Sequence, residues 1–269
     1  MKNSIVVFLA VLMVVPAFAD KKGSVLRGGL GFLFPDANRF VNGGQSALNR
    51  GTSLEANYSR ADQTKVQDMT ASLMWANGQA GLGAAVSRMG DTLSDADTSS
   101  DTMYAQGGMV FGGGQVTLGG VYQHSLETGV VGQDAVSGQL NVNLGKPGQG
   151  WVLGVGASTT LGQDTNTKTG TAALGYAFSS GLMLEGGYQV DDFADSANNY
   201  RYTAAAVYNA NAWYGAAQYN AVTQTGMHPD SISARLGAVW GKLDLSAQVT
   251  KATYTGGDTN YGGTLRYVF

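Results

Sequence analysis

The stretch Tyr261-Gly262-Gly263-Thr264-Leu265-Arg266-Tyr267-Val268-Phe269 decides the fold. Counting back by twos from Phe269 puts Tyr267, Leu265, Gly263 and Tyr261 on one side. Val268, Arg266, Thr264 and Gly262 fall on the other. One face is aromatic and apolar, the other mostly small, polar or charged, so this is a strand between two different solvents. At the edge of a soluble sheet such a strand would invite aggregation. As the closing strand of a membrane barrel it has no free edge.

The same alternation repeats upstream. Val136, Gly138, Leu140, Val142 and Leu144 oppose Ser137, Gln139, Asn141 and Asn143. Ile232, Ala234, Leu236, Ala238 and Trp240 oppose Ser231, Ser233, Arg235 and Gly237. Leu243, Leu245, Ala247 and Val249 oppose Asp244, Ser246, Gln248 and Thr250. The pattern predicts strands at 51–60, 66–77, 79–89, 102–112, 115–127, 134–145, 150–161, 169–179, 181–191, 200–209, 211–222, 230–240, 242–254 and 259–269. Short turns and longer loops alternate strictly between them, as periplasmic turns and external loops do in bacterial barrels. The fold class is therefore all-β: a transmembrane antiparallel up-and-down β-barrel of about fourteen strands. Twelve is the alternative if 66–89 is read differently.

Composition agrees. The 269 residues include 40 Gly, 13% charged residues, 4 Pro and no Cys. Average usage is about 7% Gly and 25% charged. A formal charge of −3 makes no case for nucleic acid. The lack of Cys excludes disulfides, thiolate metal sites and a lipid-modified N-terminal Cys. No linker divides the chain, so 51–269 reads as one barrel.

Residues 1–19 read as a cleaved secretory signal. Lys2 precedes the apolar run Ile5 to Val15, Pro16 breaks it, and Ala17 and Ala19 form the small-x-small cleavage pattern before Asp20. The run is too short to span a bilayer. Residues 20–50 carry Lys21, Lys22, Arg27, Arg39 and Arg50 and show no clean alternation. They read as a segment outside the wall, either a plug in the lumen or a periplasmic tail. The plug is favoured because Phe32, Phe34 and Phe40 are costly to leave in water.

Aromatic residues near strand ends predict two interfacial girdles: Trp75, Tyr104, Phe111, Tyr122, Trp151, Phe178, Tyr188, Tyr200, Tyr202, Tyr208, Trp213, Tyr219, Trp240, Tyr254, Tyr261, Tyr267 and Phe269. By parity Glu55, Asp68, Glu185, Arg201, Arg235, Asp244 and Arg266 face the lumen, because a cation on the lipid face costs about 2–4 kcal/mol near the midplane. Both signs are present, so strong ion selectivity is not expected. Closing the barrel would set Arg266 beside Glu55.

Chemistry is scarce. His124 and Ser125 are adjacent, so on a strand they point to opposite sides and cannot act as base and nucleophile. His228 lies in a loop. The acidic run Asp91, Asp95, Asp97 and Asp101 lacks the spacing of a calcium loop and reads as a solvated loop, as does Asp191, Asp192 and Asp195. No catalytic residue, metal site or cofactor is expected.

Two resemblances follow. The terminal alternation Tyr261, Gly263, Leu265, Tyr267 and Phe269 resembles the C-terminal assembly signal of bacterial outer-membrane barrels. That implies the barrel-assembly machinery and periplasmic chaperones as partners, with outer-membrane lipid and lipopolysaccharide around the wall. Fourteen strands after an N-terminal segment, with Pro35-Asp36-Ala37-Asn38, Asn42-Gly43-Gly44-Gln45-Ser46-Ala47-Leu48 and Gly51-Thr52-Ser53-Leu54, is similar to the long-chain fatty-acid transporter (FadL-type) family. The family's Asn-Pro-Ala-type motif would fall at Asn42-Gly43-Gly44, where this chain has no Pro. The expectation is an outer-membrane pore for passive transport of small solutes, gated by residues 20–50. A FadL-like transporter of hydrophobic molecules and a plugged structural or adhesion barrel are the alternatives.

Overall fold

The computed structural model describes residues 51–91, 99–127, 133–146, 149–161, 168–191, 199–210, 212–223, 230–254 and 257–269. The signal and plug expectations for 1–50 lie outside them.

Alternating side chains make each segment an extended strand, and fourteen of them close into one antiparallel barrel. In order they are β1 (Gly51–Ala61), β2 (Gln67–Ala76), β3 (Ala80–Gly90), β4 (Ser99–Phe111), β5 (Val116–Glu127), β6 (Gln133–Lys146), β7 (Gln149–Leu161), β8 (Lys168–Ala177), β9 (Leu182–Asp191), β10 (Asn199–Ala210), β11 (Trp213–Thr223), β12 (Ser231–Trp240), β13 (Leu243–Ala252) and β14 (Thr259–Val268). Each pairs with its neighbours in sequence, and β1 also pairs with β14. Strands of 10 to 14 residues suit a tilted crossing of a bilayer core.

The twelve-strand alternative fails at 77–79, where a tight turn separates β2 from β3. Asn77 Oδ1 accepts from the Gln79 and Ala80 N–H groups at 2.8 and 2.7 Å and fixes the reversal. Most strands also shift a boundary by one to three residues, and two of these shifts have a visible cause. β4 begins at Ser99 rather than 102, because Arg88 of β3 opposes Asp101 and prolongs the pairing. β13 ends at Ala252 rather than 254, because Gly257 N–H closes a turn on the Tyr254 carbonyl at 3.0 Å. At the β6–β7 turn Gly145 opposes Gly150 with φ of 150° and 117°. A side chain on either would meet the backbone of the other arm.

The two faces of the wall are chemically opposite. Outside stand Leu82, Leu236 and Trp240, each more than 60% exposed, with Leu118, Leu140, Leu174 and Leu265. An apolar surface running around the whole barrel belongs in lipid. Aromatics form two belts on it. Near the short-turn end, Trp151, Tyr176 and Phe178 pack edge to face, as do Tyr267 and Phe269, and Tyr208 packs on Trp213. Near the long-connection end, Tyr188 contacts Tyr200 and Tyr202, with exposed Tyr58, Tyr122, Tyr219 and Tyr261 at similar depth. Tyr104 corrects the expected girdle. It opposes Ala85 and Gln123 on the inner face, because the β4 period assigns the outer one to Met103, Ala105 and Met109.

Candidate functional site

The inner face is the chemically distinctive surface. Its side chains are mostly Ser, Thr, Asn, Gln, Gly and Ala, and their hydrogen bonds run along the wall. Gln139 donates to Asn141 at 3.0 Å, and Asn141 to Thr117 at 3.2 Å. Gln218 donates to Asn220 at 2.6 Å, and Asn220 to Ser231 at 3.2 Å. Ser233 and Thr250 lie 2.9 Å apart. Ladders of this kind satisfy polar groups that burial would otherwise penalise. One inner patch is apolar: Ala177, Met183, Val207 and Ala216 cluster near the short-turn end of β8–β11.

The charges gather near the two mouths. At the short-turn mouth Glu55 of β1 opposes Arg266 of β14, which opposes Asp244 of β13. Arg266 donates to Ser53 Oγ at 3.3 Å, and Glu55 accepts from Asn57 at 2.8 Å. Tyr214 of β11 reaches across β12 to give its hydroxyl to Asp244 of β13 at 2.9 Å. It can do so because Gly237 lies beneath its ring, where a Cβ would overlap it. The Arg235 guanidinium lies 5.8 Å from the same ring and donates to Ser246 at 3.0 Å. At the other mouth Asp68 accepts from Ser87 at 2.9 Å, and Arg201 lies opposite Gln189. Glu185 sits on β9 between Gly175 and Ala205, 5% exposed, with neither carboxylate oxygen hydrogen-bonded. The Tyr214–Asp244 contact has no signal in local sequence, since it depends on the register of three strands.

His124 faces outward. Its Nδ1 lies 2.6 Å from Asp134 Oδ1, which also accepts from Tyr122 at 2.9 Å. Ser125 points inward, with its Oγ 3.4 Å from Thr102. The two side chains therefore do not meet, and His228 lies outside the described residues. Asp101 is held by Arg88 through two bonds of 2.8 and 3.0 Å. The rest of that acidic run, apart from Asp91, lies outside the described residues, as do Asp192 and Asp195. Tyr261, Gly263, Leu265 and Tyr267 share the outer face of β14, opposite Arg60, Tyr58, Ala56 and Leu54.

No family model and no curated protein matches the sequence. Solved structures do match by shape. The Acinetobacter baumannii outer membrane protein Omp33 superposes with a TM-score of 0.57 at 11% identity, over 83% of this chain and 100% of that one. A bacterial polysaccharide outer membrane secretin gives 0.58 at 8%, over 82% and 99%. A KdgM porin in complex with disordered oligogalacturonate gives 0.50 at 11%, over 81% and 99%. At these identities the likeness establishes the fold: this is a closed fourteen-strand barrel of the outer-membrane type. These likenesses lend no support to the FadL-type resemblance. Of the residues that carried that resemblance, only 51–54 are described, as the start of β1.

Proposed function

We propose that the protein is an outer-membrane pore that passes small polar solutes passively. One observation carries the reading: a closed barrel, apolar all round outside, encloses a polar interior whose hydrogen bonds described above stay on the wall. They reach the next strand or the one after it and leave the axis unbridged. The likeness to an outer membrane protein and a porin favours the same reading. The long connections then face outside the cell and the short turns the periplasm. Inner-face Glu55, Asp68, Glu185 and Asp244 stand against Arg201, Arg235 and Arg266, a near balance that suits weak ion selectivity. Residues 20–50 act as the gate in this reading, and Ala17 and Ala19 mark the export cleavage.

Single-channel conductance in planar bilayers tests it, on the chain from Asp20 and on a version starting at Arg50. Stable conductance from the longer chain supports the pore. Conductance only after truncation makes residues 20–50 a plug. Silence from both, with folding shown by heat-modifiable gel mobility, overturns the pore and leaves a structural barrel.

A further inference from the structure

Several basic side chains near the long-connection end have acidic partners within the protein itself. Arg88 is held by Asp101, His124 by Asp134, and Lys65 by Asp62 in the connection after β1. Arg60 and Lys251 are different. Both are exposed on the outer face, and neither has a hydrogen-bond or ion-pair partner among the described residues. They flank the barrel seam. Arg60 of β1 opposes Tyr261 of β14, Tyr261 opposes Val249 of β13, and Lys251 is the next outward residue along β13. A strand spacing of about 4.8 Å and a rise of about 3.4 Å per residue set their Cα atoms roughly 12 Å apart. Both side chains are long enough to converge over the Tyr261 ring, which is 56% exposed.

Three carboxylates nearby, Asp258, Asp230 and Asp62, bond to other groups and pair with neither cation. Asp230 accepts from the Tyr219 hydroxyl at 2.7 Å and from the Val222 N–H at 3.2 Å. Asp258 accepts from the Gln63 and Thr64 N–H groups at 2.8 and 3.0 Å, and from Thr259 N–H at 2.7 Å. Asp62 faces Lys65. Two exposed cations beside an interfacial aromatic, with no ion pair among the described residues, offer phosphate oxygens a site, and arginine takes these in a bidentate fork.

We infer that Arg60, Tyr261 and Lys251 dock the phosphorylated headgroup of an outer-leaflet glycolipid. The inference rests on the outer-membrane orientation proposed above. Occupancy would place a lipid across the seam where the first and last strands meet.

Native mass spectrometry of the refolded chain in detergent tests it, with bisphosphorylated lipid A as probe. The wild type should carry the lipid adduct, and Arg60→Ala with Lys251→Ala should weaken it on the order of tenfold. Arg60→Lys with Lys251→Arg should retain it. Lys168→Ala, an exposed cation on β8, should leave it unchanged. Dephosphorylated lipid A should bind as weakly to the wild type as the intact lipid does to the double alanine variant. Heat-modifiable mobility shows which variants are folded, independently of lipid and of conductance. Equal binding of intact and dephosphorylated lipid, equal binding by the folded double variant, or equal retention of phosphatidylglycerol would overturn the site. A silent pore that still binds lipid A in this manner would sink the proposed function and leave the site standing.

Discussion

Glu55 and Arg266 stand directly opposite one another across the β1–β14 seam, the pairing that joins the two ends of the barrel sequence. Asp244 faces Arg266 from the other side. Arg266 therefore stands between two acidic residues in the register of three neighbouring strands, while its guanidinium itself rests on Ser53 Oγ at 3.3 Å. Arg266→Glu would place three carboxylates there, and like charges directly opposite one another destabilise a sheet. We expect a loss of about 1–2 kcal/mol, read as a lower urea midpoint, with slower refolding. Exchanging the pair, as Glu55→Arg with Arg266→Glu, should recover part of that loss.

The opposite chemistry of the two faces can be tested on one strand. Leu140 faces outward from the middle of β6, and Ser137 faces inward. Leu140→Arg should cost about 2–4 kcal/mol when the protein is refolded into vesicles. Ser137→Arg should fold with a nearly unchanged midpoint and shift the reversal potential of the pore toward anions. If the two substitutions cost the same, the assignment of faces is wrong.

Gly237 holds the room that the Tyr214 ring occupies. Gly237→Val should displace the ring, break its bond to Asp244 and cost about 1–3 kcal/mol. Tyr214→Phe removes the hydroxyl alone and should cost about 0.5–1.5 kcal/mol with the conductance preserved. Urea titration followed by tryptophan fluorescence distinguishes the two.

Asp258 links the connection after β1 to the start of β14. The Thr64 and Gln63 backbone N–H groups, with the Thr64 hydroxyl and Thr259 N–H, hold its carboxyl well below the usual carboxylate range. A depressed native value stabilises the fold at pH above the unfolded one. As pH falls below about 4, the unfolded chain takes up a proton that the native carboxylate refuses, and the contribution declines until the native group protonates. The advantage of the wild type over Asp258→Asn should therefore be flat from pH 7 to about 4 and shrink in more acid solution. Urea midpoints across that range, and hydrogen exchange at the Gln63 and Thr64 amides, provide the check.

Strand number and facing were legible because a period of two is a local property. Leu236 and Arg235 differ by one residue and so must face opposite ways. The seam was legible because closure leaves β1 and β14 no other partner. Tyr104 was misread for a physical reason. Aromatic character favoured a girdle, while its parity with Thr102 and Gln106 already placed it inside. The bonds Arg88–Asp101, His124–Asp134 and Tyr214–Asp244 were not legible. Each depends on the register between strands, which turn geometry and neighbouring pairs set together.

The β1–β14 pairing also limits how such a protein can change size. Closing an antiparallel ring requires adjacent members to run in opposite senses all the way round, so a lone strand can be neither added nor lost. Insertion or deletion must come as a whole hairpin. Descent within this architecture therefore proceeds in steps of two, and a duplicated or excised hairpin is the smallest heritable change in its diameter.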